Sequence, residues 1–211
     1  PAKGWEQEAN LNWQNNEVIN LSTQLTKHYA KKNNAEYFII TKGKIFFKHP
    51  TWERFQLFED EWINNFKNIL YLDTDVFPWL DAPNIFNYIN NQSFNTAIHC
   101  MGKTLNGTPS FNAGVFILNK YCALKMRKYF KKNLWMPKFK KDPNWEDSKE
   151  LNEIAQKPEV DHFRLSPVWN IKNSPNSYFT HMWGATKKNN LEAPAILKAR
   201  DSIKKINNFS S

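Results

Sequence analysis

Cysteine is nearly absent from these 211 residues. The two present, Cys100 and Cys122, offer no metal-ligand spacing and no disulfide framework, so a reducing compartment is the simpler expectation. No apolar run approaches the roughly 18 residues that a membrane span requires. The opening Pro-Ala-Lys-Gly-Trp-Glu lacks the apolar core of a signal peptide, so the sequon Asn106-Gly107-Thr108 reads as unused. The expected location is therefore cytoplasmic. There is also no internal repeat and no low-complexity block, and a linker fits only after about residue 189.

What is present is aromatic and basic. Nine Trp and sixteen Phe are a heavy load, of which roughly four in five belong in a core and a few remain to stack on ligand rings. With 41% hydrophobic and 23% charged residues the chain is globular, and its length suits one domain. The net charge of +9 favours an anionic partner: nucleotide, nucleic acid or membrane headgroup. A soluble basic surface with no specific partner fits it equally.

Along the chain, Val18, Leu21, Leu25 and Tyr29 recur at helical spacing between Glu17 and Lys32, and Asn33-Asn34 breaks that helix. Glu36–Thr41 reads as a strand, and Thr51 caps a helix from Trp52 to about Phe66. Ile69–Leu72 is a short apolar run of the kind a buried parallel strand needs. Next come a short helix around Ala82–Asn90, a strand Thr96–Cys100, a loop Gly102–Ser110 and a buried strand Val115–Leu118. Helices follow over Tyr121–Leu134 and Glu146–Gln156, extended segments over His162–Leu165 and Tyr178–His181, and a last helix over Pro194–Ile206. Strands alternating with helices predict an α/β fold with a mostly parallel central sheet flanked by helices.

The chemistry concentrates in five stretches. Asp73 and Asp75 end the apolar run, and two acids at the end of a buried strand are costly unless a cation lies between them. That place, beyond the carboxyl end of a strand, is also where open α/β sheets bind ligands. In Phe111-Asn112-Ala113-Gly114-Val115, small residues let backbone approach a ligand while the Asn112 amide reads hydroxyls; a bulge needing Gly114 is the plain alternative. In Asp147-Ser148-Lys149-Glu150-Leu151-Asn152, Asp147 leans over a pocket or simply favours a helix N-terminus. His181 is a metal ligand or a core histidine, with Gly184 and Lys187 behind it suited to phosphate. Arg54, ahead of the acidic strand, approaches a ligand or lies solvated.

The ordered set resembles the GT-A-fold glycosyltransferases, specifically the glycogenin-like family 8 and its relatives, over about Arg54 to Lys187. In that family a Tyr-Leu-Asp-x-Asp strand holds the metal of a nucleotide sugar, matching Tyr71 to Asp75. A Phe-Asn-x-Gly-Val segment contacts the donor sugar, matching Phe111 to Val115. An Asp-Gln-x-x-Leu-Asn segment matches Asp147, Leu151 and Asn152, with Ser148 in place of the Gln. A His-x-x-Gly-x-x-Lys segment matches His181, Gly184 and Lys187, and Leu165-Ser166-Pro167 with Trp169-Asn170 is similar to the stretch before the family's histidine. Lys188-Asn189 replaces the usual Pro-Trp, and the first strand, which holds the nucleotide base, has no recognisable counterpart.

The resemblance implies a single catalytic domain over residues 1–211, with residues from about 190 forming a C-terminal helix and tail that can lead to a further domain. It implies transfer of a hexose or deoxyhexose from a UDP-sugar to a glycan or glycoprotein hydroxyl, with retention of configuration. Asp73, Asp75 and His181 would hold Mn²⁺ or Mg²⁺. Asp147, Asn112 and Arg54 would act at the reacting sugar; Asp73, Lys187, Gly184, Ala113, Gly114 and Ser148 would contact the donor. No nucleic-acid partner and no transmembrane segment are expected, and a monomer or one part of a multidomain chain is. The size and sequence also resemble a glycosyltransferase domain of a large multidomain chlorella-virus enzyme, which implies the host cytoplasm. Two rivals stand beside this reading: a HAD-type phosphatase, whose nucleophile motif Asp73-Thr74-Asp75-Val76 also fits, and a non-catalytic basic module binding glycan or nucleic acid.

Overall fold

The computed structural model describes residues 17–40, 50–97, 111–133, 146–182 and 193–208. Its first helix, α1 (Glu17–Lys32), buries Val18, Leu21, Leu25 and Tyr29 on the face the periodicity predicts. It stops because Asn34 adopts the left-handed conformation (φ 53°) and Ala35 N–H bonds back to the Ala30 carbonyl, closing the helix end. Residues 35–40 form no strand. Phe38 there packs edge-on against Trp62 and Phe66 instead, and Thr41 lies outside the described residues.

The single helix expected over Trp52–Phe66 is a 3₁₀ helix, Pro50–Phe58, followed by one short α-helix, α2 (Asp60–Ile63). All six residues from Glu53 to Phe58 are inside, so the segment carries no amphipathic face. The helix expected around Ala82–Asn90 is likewise a single 3₁₀ turn, Ile85–Asn87.

Among the described residues seven short strands follow in chain order: β1 (Asn68–Leu72), β2 (Val76–Pro78), β3 (Phe94–Ala97), β4 (Val115–Asn119), β5 (His162–Leu165), β6 (Ile171–Lys172) and β7 (Phe179–His181). They form a four-stranded sheet in the order β1-β4-β3-β5 and a three-stranded one in the order β2-β7-β6. The expectation of a mostly parallel sheet needs correction. Pairs β1–β4, β3–β4 and β2–β7 are antiparallel, and only β3–β5 and β6–β7 are parallel. β1, β3 and β5 do share one direction, but the reversed β4 sits between β1 and β3. It is also β4, and not β1, that is wholly buried; β1 is half-buried along its length.

β4 divides the core. Phe116 and Leu118 face one cluster with Phe55, Phe58, Phe94, Met126 and Phe130, and Val115 and Ile117 face another with Val76, Leu165, Trp169 and Phe179. This is the period-two alternation of a strand covered on both faces. The covering helices are α3 (Lys120–Asn133) and α4 (Glu146–Ala155), the latter contributing Leu151 and Ile154 to the first cluster. The last helix, α5 (Pro194–Asn208), packs Ile196 and Ala199 with Leu21 and Leu25 of α1, around Phe77 and Trp79. Arg200 and Glu17 close that helix pair with two hydrogen bonds. Tyr29 ties α1 to the next layer, donating to the Pro83 carbonyl and accepting from Ile85 N–H.

One buried titratable group in the sheet sets a pH dependence. His162 of β5 lies 2.7 Å from Thr96 Oγ1 of β3. Burial first, and then the neighbouring Arg164 charge, pushes its imidazole from the ordinary 6.5 down to about 4. The unfolded chain therefore binds a proton near pH 6.5 that the folded chain refuses until about pH 4, so this group costs stability as pH falls through that window. Urea unfolding between pH 7 and pH 4 should show the loss, and His162→Asn should flatten it. A variant with an unchanged pH profile would assign the loss to other groups.

Candidate active site

The antiparallel pairing of β1 with β4 places the end of one strand beside the start of the other. Leu72 faces Val115, and one step further Asp73 N–H bonds to the Gly114 carbonyl at 2.9 Å. The chain then turns, Val76 N–H bonding to the Asp73 carbonyl, and enters β2. There Val76 faces His181 of β7, and Met182 N–H bonds to the Asp75 carbonyl at 2.8 Å. Two sheets thus deliver Asp73, Asp75 and His181 to one point.

Each of these three offers a ligand atom within 4.8 Å of the others. His181 Nε2 lies 3.3 Å from Asp75 Oδ1 and 3.8 Å from Asp73 Oδ2. The His181 and Asp75 side chains are almost fully buried, whereas Asp73 is 23% exposed and forms the open side of the group. Behind the histidine, Asn170 Oδ1 stands 3.1 Å from Nδ1 while its Nδ2 donates to the Asn112 carbonyl. An amide oxygen can only accept, so Nδ1 carries a proton, and Nε2 is the nitrogen turned to the two carboxylates. Such a set repels itself unless a cation lies within it, and one imidazole with two carboxylates is an ordinary donor set for a divalent metal. The residues fit such an ion.

The surrounding groups hold Asp73 in place. Tyr71 Oη donates to Asp73 Oδ1 at 2.6 Å, and Arg54 Nη2 does so at 3.2 Å. Arg54 is buried, donates a second bond to the Ala113 carbonyl at 2.6 Å, and lies 5.0 Å over the Tyr71 ring. The Tyr71 ring is in turn stacked on Phe116 in the core. With Oδ1 engaged twice, Oδ2 is the Asp73 oxygen turned to His181. Asn152 of α4 clamps the Phe111 backbone, accepting from its N–H and donating to its carbonyl. Asn112 Oδ1 accepts from Gly114 N–H in an Asx turn.

Of the expected site residues, the structure brings together Asp73, Asp75, His181, Arg54, Asn112, Ala113 and Gly114. Ser148 lies on α4, its carbonyl accepting from Asn152 Nδ2. Asp147 is in the first turn of that helix, but its side chain, like Gly184 and Lys187 entirely, falls outside the described set. Three contributors had no role from sequence: Tyr71, Asn152 and Asn170. Tyr71 was findable, since it lies two residues before Asp73 and therefore on the same face of the strand. Asn152 and Asn170 stand in segments singled out above, but nothing local assigns their contacts, which span 41 and 58 residues.

No protein-family model matches the chain, and no curated protein matches it in sequence. Among solved structures it is similar to a glycosyltransferase involved in glycosylation of the major capsid of PBCV-1, with 14% identity and a TM-score of 0.59 over 90% of this chain and 94% of that one. It also aligns with the apo-form glycosyltransferase GlyE of Streptococcus pneumoniae TIGR4, at 13% identity and a TM-score of 0.46, over 89% of this chain and 54% of that one. The first likeness establishes the fold: a mixed α/β fold of the GT-A glycosyltransferase type.

Two substitutions test the geometry. A methyl group on Gly114 would collide with the His181 ring, 2.7 Å from Nδ1, and with Asn112 Oδ1 at 2.8 Å. Gly114→Ala should therefore lower Mn²⁺ affinity by tenfold or more in calorimetry while leaving a folded protein. Asn170→Ala should weaken it by roughly 10- to 100-fold, and nitrogen NMR of the metal-free variant should show His181 losing its Nδ1–H tautomer. A wild-type spectrum with no proton on Nδ1 would overturn the assigned orientation.

Proposed function

We propose that the chain is a metal-dependent glycosyltransferase that moves a hexose or deoxyhexose from a UDP-sugar to a hydroxyl of a glycan or glycoprotein, with retention of configuration. The observation that carries this is the convergence of Asp73, Asp75 and His181 within 4.8 Å, at the strand ends of a glycosyltransferase fold. The phosphatase reading would employ Asp73 as nucleophile, but it belongs to another fold and leaves the oriented histidine without work.

In this reading Asp75 and His181, with Asp73 through Oδ2, hold Mn²⁺ or Mg²⁺. The ion when bound supplies Lewis-acid stabilisation of the charge that develops on the departing diphosphate. Arg54 and Tyr71 fix the rotamer of Asp73, so the carboxylate meets its partners already ordered. Asn170 keeps the His181 proton on the far nitrogen, and Gly114 leaves the imidazole room to stand there. The small residues Ala113 and Gly114 let the donor sugar approach backbone, with Asn112, Asp147 and Ser148 reading its hydroxyls. Gly184 and Lys187 belong to the diphosphate. The acceptor is a glycan or glycoprotein, a class in keeping with the capsid-glycosylating structural neighbour.

Differential scanning fluorimetry tests the reading. With Mn²⁺ saturating throughout, UDP at about a hundred times its dissociation constant should raise the melting temperature by roughly 5 to 10 °C over Mn²⁺ alone. EDTA should abolish the shift, and Asp75→Ala should not show it. A wild-type protein indifferent to UDP and Mn²⁺ would sink the proposal, and turnover across a panel of UDP-sugars would identify the donor.

A further inference from the structure

The net charge of +9 is not spread over the chain. The 22 residues from Lys120 to Lys141 hold nine Lys or Arg and no Asp or Glu, which leaves twenty basic residues to balance twenty acidic ones elsewhere. Within that stretch α3 alone carries six basic residues and no acid. Its inner face buries Cys122, Ala123, Met126 and Phe130 in the core. Its outer face exposes Lys120 and Lys128 together with two large hydrophobic side chains, Tyr121 (52% exposed) and Leu124 (43%). Lys125 Nζ stands 4.1 Å over the Tyr121 ring, so charge and aromatic surface are interleaved. Arg127 is engaged elsewhere, bonded to Asp60 of α2. At the start of the helix, Lys67, Lys120 and Tyr121 line an open cavity of about 350 Å³ with Asn64, Asn65 and Asn91.

We propose that this face of α3 docks on an anionic lipid bilayer. Lysines alone would suit any polyanion. The exposed Leu124 beside Tyr121 selects among them: an aliphatic side chain held out into water gains from hydrocarbon, while tyrosine rings and lysine stems favour the headgroup region. The charge is complementary to an anionic leaflet, and the rest of the chain is neutral and does not oppose approach. The helix leaves β4 at the end opposite Gly114.

Co-sedimentation of the whole chain with phosphatidylcholine vesicles, with and without phosphatidylserine, tests this. Wild type should partition only to the phosphatidylserine vesicles, and added salt should weaken the binding without removing it. Lys120→Gln/Lys125→Gln/Lys128→Gln should bind on the order of a hundred-fold more weakly, at about five-fold per lysine, with an unchanged melting temperature because these side chains are on the surface. Tyr121→Ser/Leu124→Ser should lose the salt-resistant part. Equal partition of wild type and the lysine variant would overturn the proposal, as would the absence of any phosphatidylserine dependence. Tighter binding to a duplex oligonucleotide than to vesicles would also overturn it and give the surface to nucleic acid. None of these readouts involves UDP or a metal, so they stand or fall separately from the transferase assignment.

Discussion

Leu72 pairs with Val115 across an antiparallel ladder, and the active site depends on that pairing more than on any side chain in it. Had β4 run with its neighbours, its first residues would lie at the far end of β1, some five residues from Asp73. Reversed, it sets the Asn112-Ala113-Gly114 backbone beside the acidic turn, so that Arg54 can bond Asp73 and the Ala113 carbonyl at once. The second antiparallel contact, β2 with β7, does the same for His181 and Asp75. Local hydrogen bonding thus converts two distant segments into one ligand set, with little freedom left to the side chains.

That set is frustrated by itself. Two carboxylates and an imidazole share a mostly buried site, which the fold tolerates because stronger constraints surround it. Asn170 is almost wholly buried and joins His181 to the Asn112 carbonyl. Gly114 leaves the ring no more than its own volume. Arg54 neutralises part of Asp73 and is steadied by the Tyr71–Phe116 stack reaching into the core. Such pre-ordering lowers the reorganisation needed on binding, which is how a rigid site gains affinity for an ion that a flexible one would hold weakly.

How much of this was legible follows from how local each signal is. The helix α1 and its stop at Asn33-Asn34 were readable because periodicity and a left-handed cap are encoded within a few residues. The candidate metal-binding triad was readable through spaced motifs, whose residue types carry chemistry wherever they stand. Strand direction was not: a buried apolar run is the same in either sense, so Val115–Leu118 said nothing about its reversal. The 50–66 segment misled because a stretch buried on all sides has no amphipathic face to read, and Phe38 and Ile39 misled because β-forming residues also serve a surface aromatic cluster. Asn170 and Asn152 stood in segments singled out by sequence, but their contacts were not legible because their partners are remote.

The division of charge bears on how the two ends of β4 serve one protein. At its start the strand meets buried groups held by their neighbours: Arg54 pairs with Asp73, and His181 faces both acids. At its end it gives way to a helix whose basic residues, among the described residues, have little acidic compensation beyond the Arg127–Asp60 pair. Compensated buried charge orders a site and is insensitive to salt, whereas exposed charge of one sign acts over a Debye length and is readily screened. Recognition of a small, tightly held ligand and attraction to an extended anionic surface need those opposite arrangements. One strand, β4, runs from the first arrangement to the start of the second.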